Sequence, residues 1–372
     1  MSCPGGDLMG TGTDGGLEHL KVRNSLEISL EFFHGYKLNV SELYSWIKSN
    51  SYKFIGFQLP EGLRKQGVEL IRRIEPELGV NVILLADPCF GACDVNLSKL
   101  ENLGIDALVH FGHAEIPDCT VQKIPIKYIE LQGKINPSEL ILEGKNIDKL
   151  KSELQPELSI GLIANVQFIS YLDDIKAILE KEDFQVFIGT GEPRVKHPGQ
   201  VLGCNFSAAK NIQEKVTGFL FVGDGRFHPV GISLATNKKV LAFNPFDNTM
   251  EDMSTMKDKI LRQRNGTIAK AKDCLNFGIL LSIKPGQIRL EYAFRIREKL
   301  RRYDRQGILL ALDNITPSQI DYLPFDAYIN LACPRLAIDD YDQYKKPLIT
   351  PIELDIMLKE RNWENYLFDE IF

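Results

Sequence analysis

The chain has 372 residues, 44% hydrophobic and 25% charged, with a net charge of -6. Such a balance excludes a disordered or fibrous protein, and the acidic sign argues against naked nucleic acid as the main partner, since no global positive field would draw phosphates. With no run approaching about 18 apolar residues and no basic-then-apolar leader, neither a membrane partner nor secretion is expected, and the expected compartment is cytoplasmic.

Residues 1–22 are rich in Gly, Thr and Asp and read as a loose tail that includes Cys3. Gly10-Thr-Gly-Thr-Asp-Gly15 matches GxGxxG as a string, but no apolar strand precedes it and no helix opens on its last glycine, so it reads as chance. Leu26, Ile28 and Leu30 alternate, and a short helix is expected around Leu43 to Ile47. A first β/α round follows: the strand Phe54–Phe57, a helix from Leu63 to Ile74, the strand Val82–Leu85, a turn carrying Cys89 and Cys93, and the strand Ala107–Phe111. The order repeats with strands at Leu158–Ala164, Phe184–Ile188, Gly218–Val222 and Lys239–Phe243, and a helical stripe through Tyr171, Ile175 and Leu179. A third round has strands at Phe277–Leu281, Gly307–Ala311 and Tyr328–Leu331, with a basic helix over Gln287–Arg302 whose cations read as a solvated face. The reading is α/β: three similar modules with mainly parallel sheets, over residues 23–150, 151–262 and 263–372.

Seven cysteines are too few and too scattered for a disulfide scaffold, and their number is odd, so they start as thiols. Cys93, Cys204 and Cys333 lie in separate rounds, each near the carboxyl end of a strand, where loops of a parallel sheet converge. They read either as packed, inert thiols or as three ligands of one soft group, and three thiolates suit an iron–sulfur cluster with one iron left open. Cys89 competes with Cys93; Gly91-Ala92 leaves less bulk before Cys93, which favours it on shape. Cys119 and Cys274 lack this setting, and Cys274 reads as a core thiol. His110-Phe-Gly-His113 lacks the pattern of a zinc motif, so His110 reads as packed or hydrogen-bonded and His113 as facing the cleft. Gly223-Asp-Gly-Arg-Phe-His228 reads equally as a strand end where a ligand can approach the backbone and Asp224 can bind an amine or hydroxyl and as a plain Asp-Gly turn, and Gln58-Leu-Pro-Glu-Gly62 reads equally as a polar strand end and as a helix start.

Taken together, Gln58-Leu-Pro-Glu-Gly-Leu63, Asp87-Pro-Cys-Phe-Gly-Ala-Cys-Asp94, His110-Phe-Gly-His113, Leu202-Gly-Cys204, Gly223-Asp-Gly-Arg-Phe-His228 and Ala332-Cys-Pro-Arg-Leu-Ala-Ile-Asp339 resemble the diphthamide synthase iron–sulfur subunit family. The resemblance implies three α/β modules around a central [4Fe-4S] cluster held by Cys93, Cys204 and Cys333. It also implies reductive cleavage of S-adenosylmethionine, with the 3-amino-3-carboxypropyl group passing to a histidine of translation elongation factor 2. Further implications are a homodimer, as in the archaeal enzymes of the family, and a reductase or other electron donor. Because the sulfonium is cationic, Asp224 and Glu61 are nominated to hold it, with Gly112, His113, Gly223 and His228 lining the cofactor cleft. The alternatives are a lyase resembling quinolinate synthase and a non-catalytic accessory subunit.

Overall fold

In a computed structural model, residues 35–117, 124–135, 144–154 and 157–372 are described. The tail with Cys3 and the Gly10–Gly15 string, the alternation at Leu26, Ile28 and Leu30, and Cys119 lie outside them.

Strands β1 (Tyr36–Lys37) and β6 (Gln132–Gly133) form an antiparallel pair. The first large sheet contains β2 (Phe54–Gln58), β3 (Asn81–Leu85), β4 (Ala107–Phe111) and β5 (Ile126–Ile129), in the order β3-β2-β4-β5, all parallel. The second has β7 (Ser159–Ala164), β8 (Gln185–Phe187), β9 (Gly218–Val222), β10 (Lys239–Asn244) and an antiparallel edge, β11 (Thr249–Asp252), in the order β11-β10-β9-β7-β8. The third has β12 (Asn276–Ser282), β13 (Gln306–Leu312), β14 (Ala327–Asn330) and β15 (Leu348–Ile349), in the order β13-β12-β14-β15, all parallel. Each sheet places its first strand between its second and third, so the expected α/β rounds are one repeated topology. No helix among the described residues is long and apolar enough to cross a membrane.

Apolar side chains alternate across each sheet and build a core on both faces. In the second sheet Ile163, Phe219 and Phe221 pack to one side, and Leu162, Leu220 and Leu241 to the other. Burying such a side chain contributes about 1.5–3 kcal/mol. The helix expected at Leu63–Ile74 runs over Arg64–Leu78 and stops where Gly79 adopts φ +63°, its N–H bonded to the Glu75 carbonyl. Three longer helices have no sequence expectation, among them Gly144–Leu154. The helix Phe227–Thr236 is buried on nearly every side and so shows no amphipathic period, while the helix Ser254–Ala271 is mostly polar. Buried Arg264 of the latter makes a two-pronged pair with Glu353 at 2.7 and 2.6 Å and donates to the Leu348 carbonyl of β15 at 2.7 Å, anchoring it to the third module.

The repeat has a residue-level signature at the amino ends of the strands. Just before β4, the Asp106 carboxylate accepts from the N–H groups of Lys53 and Phe54 at 2.7 and 2.9 Å. Just before β14, Asp326 accepts from those of Leu275 and Asn276 at 3.1 and 2.9 Å. In the second sheet Thr217 takes this position and bonds Ser159. These backbone donors hold both carboxyls below their ordinary range. A depressed carboxyl stabilises the fold above the unfolded-state value, and that contribution is lost as pH falls through the folded value. Asp106→Ala and Asp326→Ala are therefore expected to lower the urea midpoint at pH 7, with the gap to the parent chain closing below about pH 4. A gap that does not depend on pH would show that the carboxylate charge is immaterial.

Candidate functional site

Cys93 follows β3 in the short turn Ala92–Asp94. Cys204 occupies a tight reversal in which Leu202 and Asn205 exchange backbone bonds of 3.0 and 3.2 Å. Cys333 follows β14, where Asn330 donates to its carbonyl at 2.9 Å. Burial pushes the Cys93 thiol up, and Cys204 and Cys333 raise it further; Cys333 is pushed up to about 12 by burial and then by Cys204. Thiols that raise one another's pKa are electrostatic neighbours, so three sheets bring one partly buried sulfur each into a shared neighbourhood.

A short segment of the third module passes between them. A Cβ on Gly286 would lie 2.6 Å from both Cα and Cβ of Cys93, so only glycine permits that approach. Gln287 Nε2 donates to Cys93 Sγ at 3.3 Å. Arg194 donates through Nη2 to the Gly286 carbonyl at 2.6 Å and reaches Cys204 Sγ at 3.9 Å. Buried Lys284 pairs with buried Asp94, the residue after Cys93, at 2.7 Å. Burial keeps the Asp94 carboxyl above its usual range even so.

Cys89 groups with two histidines: one donor atom each of Cys89, His110 and His113 lie within 4.8 Å of one another. Burial raises its thiol to about 12. His110, fully buried, bonds Gln58 Oε1 through Nδ1 at 2.9 Å and His113 Nδ1 through Nε2 at 3.1 Å. Gln58 Nε2 is committed to the Asp94 carbonyl, so its Oε1 faces His110 as an acceptor and fixes Nδ1 as the protonated nitrogen. Burial holds His113 and His228 down to about 4 and His110 well below its ordinary value. His228 stacks on Phe221, with Arg335 and His113 as its charged or titratable neighbours.

Of the other expected residues, Asp224 accepts from Asn165 Nδ2 at 3.2 Å and from the Tyr36 hydroxyl. Gly112, at φ +86°, gives its carbonyl to Gln167 and its N–H to Ile129, and Gly223 gives its N–H to Phe243. Their amides are therefore committed, and what these glycines supply is space: a Cβ on Gly223 would meet the Phe221 ring at 2.8 Å. Glu61 opens a short turn on the exposed surface. Cys274 is half-buried at the end of a helix rather than enclosed in the core. Arg194 and Lys284 are absent from the sequence reading because neither belongs to a recognisable spacing, and Gln287, expected to open the basic helix, lies in the turn Pro285–Gln287 before a helix that starts at Leu290. Only the adjacency of Gly286 and Gln287 to a strand end could have drawn attention to them.

The structure thus defines a class, a three-sheet α/β protein in which one thiol from each sheet lies in a shared electrostatic environment. Residues 59–367 match the family described as "Putative diphthamide synthesis protein". A 2-(3-amino-3-carboxypropyl)histidine synthase from Pyrococcus horikoshii is 38% identical over 333 residues, covering 89% of this chain and 92% of that protein. The protein of the same name from Methanocaldococcus jannaschii is 30% identical, covering 87% and 89%. Human 2-(3-amino-3-carboxypropyl)histidine synthase subunit 1 is 28% identical, covering 84% and 69%. A crystal structure of Dph2 from Pyrococcus horikoshii with a 4Fe-4S cluster superposes with a TM-score of 0.82 at 35% identity, covering 90% of this chain and 94% of that one. The chain belongs to the diphthamide synthesis family.

The Lys284–Asp94 pair yields a stability test. Lys284→Ala leaves a buried carboxyl without its cation and is expected to cost about 3–5 kcal/mol in urea unfolding. The double variant Lys284→Met/Asp94→Leu should recover most of that loss, whereas equal losses in both would place the cost in packing.

Proposed function

We propose that this chain is a 2-(3-amino-3-carboxypropyl)histidine synthase, the enzyme of the first step of diphthamide biosynthesis, and that Cys93, Cys204 and Cys333 hold its [4Fe-4S] cluster. The observation that carries the reading is the meeting of these three thiols, a donor set that suits soft iron and leaves one iron open. When bound, the cluster supplies the electron that cleaves the sulfur to γ-carbon bond of S-adenosylmethionine.

The surrounding residues contribute electrostatics and space. Gln287 donates to Cys93 Sγ and Arg194 lies beside Cys204 Sγ, which disperses thiolate charge. His113 and His228, kept neutral by burial, place no positive charge where a sulfonium has to enter. Asn165 Oδ1 is buried without a hydrogen-bond partner next to Asp224, and together they offer acceptor and anion for the substrate's ammonium. Gly112 and Gly223 keep the entrance free of side chains. The substrate is proposed to be a histidine of elongation factor 2, with a separate cytoplasmic reductant. A homodimer is favoured by the high coverage of archaeal synthases that carry no subunit number.

Under anaerobic reduction with dithionite, the reconstituted chain with S-adenosylmethionine and the factor is expected to release methylthioadenosine and add a 3-amino-3-carboxypropyl group to one histidine, both read by mass. A loaded cluster giving neither product overturns the reading. Cys93→Ala, Cys204→Ala and Cys333→Ala should each abolish cluster retention, whereas Cys274→Ala should not. Gly286→Ala, which forces a methyl against Cys93, is expected to reduce bound iron and sulfide about tenfold at limiting iron.

A further inference from the structure

The segment Phe368–Phe372 has no part in the chemistry proposed above, yet its contacts run to the loop that carries Cys204. Ile371 donates its N–H to the Cys204 carbonyl at 2.8 Å, and Asn205 Nδ2 donates to the Ile371 carbonyl at 3.3 Å. Glu370 accepts from the Phe206 N–H through Oε1 and from Lys210 through Oε2, both at 2.7 Å. These contacts are buried or half-buried, with Asn205 and Phe206 fully enclosed and Glu370 only 7% exposed. At its other end Asp369 takes both terminal nitrogens of Arg289, at 2.8 and 3.1 Å. Arg289 lies two residues beyond Gln287, whose side chain donates to Cys93. Phe368 seals the inner side against Phe206 and Phe227, with ring centroids 5.1 and 6.2 Å away.

On the other flank, residues 367–372 line a cavity of about 710 Å³, so packing does not press the segment onto the Cys204 loop from that direction. Hydrogen bonds to charged groups, individually stronger than neutral ones, add to the Phe368 packing and the Ile371 backbone bond in holding it there. The loop itself is a two-residue reversal with little structure of its own. A sulfur at its tip needs its backbone fixed from outside, and the Cys204 carbonyl is fixed by Ile371.

We propose that Asp369, Glu370 and Ile371 act as a positioning strap that sets the place of Cys204 relative to Cys93, joining the second module to the third at the thiol site. The proposal rests on Cys204 being a cluster ligand, but its test does not. In the cluster-free full chain, alkylation of Cys204 by iodoacetamide, followed by peptide mass, reports how often its loop opens. Glu370→Ala is expected to speed Cys204 alkylation about tenfold while leaving Cys333 unchanged. Glu370→Gln, which keeps an oxygen for the Phe206 N–H, should restore most of the protection. In the anaerobically loaded chain, Glu370→Ala should also accelerate iron loss to a ferrous chelator, with the thermal midpoint close to that of the parent. If Cys204 and Cys333 change by the same factor, or Cys204 does not change, there is no strap. If alkylation responds as expected in a chain that takes up no cluster, the strap stands and the cluster assignment falls. Asp369→Ala, altered from the third-module side, provides a second variant should Glu370→Ala fold poorly.

Discussion

Three separately packed sheets have to agree on one point in space, and the segment Lys284–Arg289 is where they do so. Lys284 pairs with Asp94, Gly286 lies against Cys93, and the Gly286 carbonyl receives Arg194 from the second module. Gln287 donates to Cys93 Sγ, and Arg289 holds Asp369 beside the Cys204 loop. Each sheet has its own core on two faces, and that of the second also takes in Ile338 and Phe368 of the third module, so non-directional burial draws the modules together without setting their register. Directional contacts do that, and those nearest Cys93 come from these six residues. The pairs are also buried enough to be sensitive, since losing one partner strands the other without water.

The charge distribution around the thiols has a consistent sense. Donors point at two of the sulfurs, Arg335 lies over the Phe227 ring near Cys333, and the imidazoles of His110, His113 and His228 are neutral through burial. A site that accumulates thiolates needs donors to disperse charge, and one that admits a cation needs neighbours that do not repel it. Neutral histidines satisfy the second requirement while retaining a lone pair each. Their neutrality depends on enclosure, as carboxylates directly against them would raise their pKa.

The strand cores were legible because parallel strands buried on both faces read as short apolar runs; β4, β9 and β12 fall within a residue or so of where such runs place them. That three cysteines from separate modules come near one another was legible from their strand-end setting and from the resemblance that their flanking motifs carry. The helix Phe227–Thr236 escaped because complete burial erases its periodicity, and β5 and β15 because four-residue and two-residue edges carry little pattern. Lys284, Arg194 and the Asp369–Ile371 strap escaped for a different reason. Their meaning lies in partners 190, 92 and about 160 residues away, and no local spacing encodes such a contact.

The site also departs from the symmetry of the sheets. All three share one strand order, yet Cys93 and Cys204 follow the second strand of their sheets whereas Cys333 follows the third. The end of the second strand of the last sheet, at Asp313, lies 3.8 Å from Lys284 Nζ instead. A strict threefold would place that strand end at the thiols and leave no side of the site distinct. Displacing one thiol to the neighbouring strand frees Asp313 to join Lys284 and Asp94 in the contact that sets the modules. The third module therefore serves as ligand carrier through Cys333 and as spacer through Lys284–Arg289, two roles that a symmetric arrangement would bring to the same strand end.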